Sequence, residues 1–140
     1  MRRGVKADAA PLLEATARWA YDPLGFVMEA LKAVPDAWQR EVLQEIGGGL
    51  ATPNEAVRIA VASGHGVGKS ALVAWILLWA IGTRQDTRGV VTANTETQLR
   101  TKTWAELAKW LRQWNCREWF DFTATSLVSR VIGHGPTWRL

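Results

Sequence analysis

The stretch Val57-Arg58-Ile59-Ala60-Val61-Ala62-Ser63-Gly64-His65-Gly66-Val67-Gly68-Lys69-Ser70 decides how the rest of the chain is read. Residues 57 to 62 are rich in β-branched side chains and nearly all apolar, the pattern of a strand covered on both faces of a parallel sheet. From Lys69 to Ile81 the sequence is apolar nearly all round, as in a deeply buried helix, with Gly82 as its stop. Between them, residues 63 to 70 fit the phosphate-loop consensus G-x-x-x-x-G-K-[ST] at Gly68, Lys69 and Ser70, with Ser63 where the leading glycine belongs.

The chemistry behind that consensus is anion binding by backbone N–H groups. Glycines let the chain wrap closely around a phosphate where a side chain would block the approach, a need that Gly64, Gly66 and Gly68 meet. A helix starting near Lys69 adds the positive end of its dipole. In this motif Lys69 reaches the β- and γ-phosphates of ATP and the Ser70 hydroxyl ligates Mg²⁺. Ser63, Val67 and His65 complete the candidate loop, and His65 has two readings: a sensor of the γ-phosphate, or a residue that matters only through its backbone N–H. A dinucleotide fingerprint is excluded because it requires glycine at position 69, and a kinase-type loop because that loop lies in a hairpin.

Upstream, the sequence reads as helical. Leu12, Ala15 and Trp19 keep helical spacing within residues 8 to 20. Asp22-Pro23 is a helix start, followed by the stripe Phe26, Ala30, Leu31 and Val34, with Pro35 as its end. Asp36 opens the next helix, which carries Trp38, Val42, Leu43 and Ile46 on one broad face until Gly47-Gly48-Gly49. Downstream, Gly89-Val90-Val91-Thr92-Ala93 reads as a second strand, at about the 30-residue spacing of a βαβ unit. Thr95 caps a long helix to about Trp114, whose polar face holds Arg100, Lys102, Glu106, Lys109 and Arg112. Phe120 to Ile132 holds one or two strands, and Gly133 to Pro136 a turn. The expected fold is therefore α/β: a helical preamble over residues 1–54, then residues 55–140 as the core of a P-loop NTPase with a parallel sheet, of the helicase-like ATPase class.

ATP hydrolysis asks for an acid on a strand end to hold Mg²⁺ and a neighbouring acid to activate water. After Ser70 the acids are Asp86, Glu96, Glu106, Glu118 and Asp121, and none follows four apolar residues with a second acid beside it. Asp121, after Trp119-Phe120, comes nearest. A parallel-sheet ATPase needs about five strands, more than these residues provide, so the expectation is an incomplete domain ending before its Walker B strand. It binds ATP without efficient turnover.

Composition narrows the setting. A net charge of +4 and a pI near 9.7 permit nucleic-acid contact without demanding it, since the charges are spread out apart from Arg2, Arg3 and Lys6. Cys116 is the one cysteine and His65 and His134 the only histidines, which excludes an internal disulfide and a Cys/His metal site. The longest apolar run, Ala71 to Ile81, is short of the about 20 residues that span a membrane. Nine tryptophans are many for this length, and most belong to a core or an interface.

Three blocks together resemble the amino-terminal ATPase part of bacteriophage terminase large subunits, the motors that package viral DNA. They are the preamble with Trp38-Gln39, the loop Ser63 to Ser70, and Val90-Val91-Thr92-Ala93-Asn94-Thr95-Glu96-Thr97-Gln98. The resemblance implies ATP and Mg²⁺ as cofactors, double-stranded DNA as the moved substrate, and portal protein and the small terminase subunit as partners. It also implies a homo-oligomeric ring, no membrane, and the cytoplasm of the bacterial host. By the same resemblance Gln39 recognises adenine with Trp38 stacking nearby, although helical spacing equally makes Trp38 a core residue. Thr92, Asn94, Thr95 and Arg100 fall where related ATPases contact DNA or couple its movement, and Thr95 is equally explained as a helix cap. His65 stands where terminases often carry a loop arginine. The alternatives are a fragment of another P-loop ATPase, a helicase or loader, and a non-catalytic prophage remnant.

The basic helix face makes a measurable claim. DNA affinity followed by fluorescence anisotropy should fall with salt at a log–log slope of about −0.9 for each phosphate neutralised, and a flat response would remove DNA from the list of ligands.

Overall fold

A computed structural model describes residues 10–52, 54–61, 68–84, 87–115 and 117–129. Helices dominate them: α1 (Ala10–Trp19), α2 (Pro23–Gly25) running into a wide π turn (Phe26–Ala30), α3 (Ala37–Gly49), α4 (Lys69–Thr83), α5 (Glu96–Gln98), a second π turn (Leu99–Trp104) and α6 (Ala105–Gln113). A 3-10 turn, Arg117–Trp119, leads into β1 (Phe120–Phe122), which pairs antiparallel with β2 (Leu127–Ser129).

This arrangement overturns the expected parallel-sheet P-loop NTPase fold. Residues 57–61 and 89–93, which the sequence marks as parallel strands, form no strand, and the sheet among the described residues is the two-stranded antiparallel β1–β2. Parallel strands are held by cover on both faces. Here Val57, Val61 and Val90 are exposed, Val90 to 89%, so these segments bury too little apolar surface to drive assembly. β-branched composition favours a strand only weakly and yields to packing. The packing in this chain is helix on helix.

The local signals act as read at several helix ends. Asp22 accepts a hydrogen bond from Gly25 N at 2.9 Å through Oδ1, with Pro23 in the first turn. The wide turn that follows joins Leu31 N to Phe26 O at 3.2 Å, and this i→i+5 closure buries both Phe26 and Leu31. It also ends the helix sooner than the apolar stripe implies. Lys32 takes a left-handed φ of 58°, and Val34, expected on the buried stripe, is 84% exposed.

One core unites the preamble with the rest of the chain. Phe26, Val27, Leu31 and Leu43 pack in the same cluster as Leu78 and Ile81 of α4 and Leu107 of α6. Trp114, fully buried, lies at its centre, edge-on to Phe26 and stacked on Phe120, each at 5.4 Å between ring centroids. Gly82, expected to stop α4, lies inside it instead, because the helix continues to Thr83 and the indole of Trp114 fills the space a Cβ would need. Among the described residues no helix is long and apolar enough to cross a membrane.

Gly82→Ala should therefore lower the free energy of unfolding by about 1–3 kcal/mol through overpacking, measured by urea denaturation followed by circular dichroism. Val34→Ala should stay within about 0.5 kcal/mol of the parent.

Candidate functional site

The described part of the candidate loop is Gly68, Lys69 and Ser70; Ser63, Gly64, His65, Gly66 and Val67 lie outside the described residues, as do Arg2, Arg3, Lys6, Cys116 and residues 133–140. Gly68 is the N-cap of α4 and takes φ +88°, ψ 19°. This left-handed conformation is open to glycine at no steric cost. Having no side chain, Gly68 does not cap the helix that it starts, and the positive end of the α4 dipole is left to other groups.

The position of Gly68 is fixed from α3. Its carbonyl accepts two hydrogen bonds, from Leu72 N at 3.1 Å, the first bond of α4, and from Gln39 Nε2 at 3.0 Å. Gln39 sits in the first turn of α3, where its Oε1 accepts from Asp36 N at 2.8 Å, one arm of a capping box. One amide thus joins the amino ends of α3 and α4, and at 4% exposure it is enclosed while doing so. A Cβ on Gly68 would stand 2.6 Å from Gln39 Nε2. Trp38, beside it in sequence, is half-buried and packs against the core.

Ser70 faces a second neighbour. It lines an open cleft of about 370 Å³ whose other residues are Thr101, Lys102, Ala105, Glu106 and Lys109, from the second π turn and α6. Glu106 Oε2 accepts from Trp110 Nε1 at 2.9 Å, which holds the carboxylate on the cleft wall, and Lys109 Nζ lies 5.1 Å from the Trp110 ring centroid. The cleft therefore combines a hydroxyl at a helix amino end with two ammonium groups and one carboxylate. Lys69 is exposed beside it.

Thr92, Asn94, Thr95 and Arg100 are exposed and do not line this cleft. Thr95 Oγ1 accepts from Gln98 N at 3.0 Å and so caps α5, and Arg100 pairs with Glu96 at 3.8 Å on the helix surface. The structure thus brings Gln39 to Gly68 and places Ser70 opposite α6. Lys102, Glu106 and Lys109 were legible as one face of a helix but not as a wall opposite Ser70, since helical spacing does not say which helix a face meets. Among the described residues no three His, Cys, Asp or Glu side chains cluster as a metal site.

Compared with known proteins, the chain matches no family model, no curated protein and no solved structure.

Gly68→Ala should destabilise the fold by at least about 1–2 kcal/mol, the cost of a left-handed backbone in an L-residue, with further loss from displacing the Gln39 amide. Thermal unfolding compared with Gly48→Ala, where a Cβ meets nothing within 4 Å, isolates the effect.

Proposed function

We propose that this chain is the ATP-binding portion of a viral DNA-packaging motor, with the phosphates of ATP held at the amino end of α4 and double-stranded DNA as the substrate that the motor moves. The observation that carries the reading is the start of α4: a left-handed Gly68 with no cap of its own, followed by Lys69 and by Ser70 on the wall of a basic cleft. Anion binding of this kind needs converging amides and a helix dipole, and neither depends on a parallel sheet. The loss of the expected sheet therefore leaves this part of the reading standing. The motor assignment rests on the resemblance carried by Trp38-Gln39, the loop and the Thr92 to Gln98 segment.

Within this reading Lys69 neutralises the β- and γ-phosphates, while Lys102 and Lys109 attract the remaining negative charge from across the cleft. Mg²⁺ takes few protein ligands and several phosphate and water oxygens, so one hydroxyl, that of Ser70, is a fitting donor for an ion that arrives with the nucleotide. Bound there, the ion screens the phosphate charge. Glu106, the carboxylate on the cleft wall, is positioned to accept hydrogen bonds from waters in the cleft.

Lys69→Ala should weaken ATP binding at least about tenfold, because a hydrogen bond to a charged group is worth roughly 1.5–3 kcal/mol. Isothermal titration calorimetry with and without Mg²⁺ checks this, and unchanged affinity in the variant would sink the proposal.

A further inference from the structure

We infer that Gln39 is a positioning residue for the phosphate site: it holds Gly68 in the conformation that binds phosphate and does not serve as a reader of the adenine base. This rests on the nucleotide reading above and assigns Gln39 a different task within it.

Adenine recognition by a glutamine takes one N–H and one carbonyl lone pair in a paired contact with the base edge. In Gln39 the Oε1 already accepts from Asp36 N and the Nε2 already donates to Gly68 O, at 2.8 and 3.0 Å. With 4% of the residue exposed, the amide has no open edge to offer a base. Its two bonds instead span the amino ends of two helices, 29 residues apart in sequence.

The consequence falls on Gly68. Its carbonyl opens the α4 hydrogen-bond ladder through Leu72 N, and its backbone is held at a φ of +88°. A glycine populates positive and negative φ about equally when nothing holds it, so the Gln39 donor selects one of the two states. Apparent affinity is the intrinsic affinity divided by the inverse of the competent fraction. Losing the donor lowers that fraction by one factor for every ligand that uses the phosphate site, with or without a base attached.

The test compares Gln39→Glu and Gln39→Met with the parent protein, using ATP, GTP and inorganic tripolyphosphate as probes in calorimetry. Gln39→Glu keeps the acceptor for Asp36 N and loses the donor to Gly68; Gln39→Met loses both without adding charge. We expect both variants to lose affinity for all three probes by a common factor, about two- to tenfold, the range set by one neutral hydrogen bond. In hydrogen exchange, protection of the Leu72 amide should fall in both variants, and protection of the first turn of α3 only in Gln39→Met. A loss confined to ATP, with tripolyphosphate unaffected, would identify an adenine reader and overturn the inference alone. Unchanged protection at Leu72 would also overturn it. Failure of the parent protein to bind either ATP or tripolyphosphate would instead overturn the nucleotide reading together with this inference.

Discussion

A helix of fifteen residues with hardly a polar side chain cannot lie on a surface, and the enclosure of α4 is the constraint on which the remaining structure depends. Leu72, Ala74, Trp75, Leu78, Trp79 and Ile81 are all buried, on more than one side of the helix. Burying each large side chain is worth about 1.5–3 kcal/mol, so elements gather around α4 wherever they can present apolar surface. α1 covers one side and α6 with its preceding π turn another, and α6 presents Trp110 edge-on to Trp75 at 5.4 Å. The small residues matter as much as the large ones. Gly82 lets the Trp114 indole meet the α4 backbone, and this contact brings Phe120, and with it β1, against the helices.

What the sequence revealed follows from the range of each interaction. Asp22-Pro23 and Thr95 announce helix starts because a cap acts over three residues, and the structure uses both. The burial of α4 was legible because a sequence without a polar face has few alternatives. The pair β1 and β2 falls within Phe120 to Ile132, the segment read as one or two strands, but the absence of the two expected parallel strands was not legible. A run such as Val57 to Ala62 fits a covered strand or an uncovered extended segment equally well, and the outcome depends on whether other parts of the chain arrive to cover it. Val34 went astray for a local reason, because the wide turn at Phe26–Ala30 ends the helix before it reaches Val34.

The candidate site divides along the same line. Gly68, Lys69 and Ser70 could be named from spacing alone, since their chemistry belongs to one turn of backbone. Gln39 could be named only by resemblance, and its partner in the structure is a carbonyl that no sequence pattern records. The lysines opposite Ser70 required knowing which face of α6 and of its preceding π turn meets α4. Function at such a site therefore has a local half, written in glycines, and a tertiary half, decided by how helices pack.

The helical preamble also acts as a calliper on α4. At one end Gln39 grips the Gly68 carbonyl; at the other, Trp79 Nε1 donates to Trp19 O at 2.7 Å, and Arg84 donates to Ala20 O while lying against the Tyr21 and Trp79 rings. Both jaws belong to the same amino-terminal segment, and the fifteen-residue helix that they grip is about 22 Å long at 1.5 Å per residue. One residue inserted into α4 would rotate one end by about 100° against the other, so the jaws could not both stay closed. The length of this helix is thus a gauged dimension, set by two grips that both come from the amino-terminal segment.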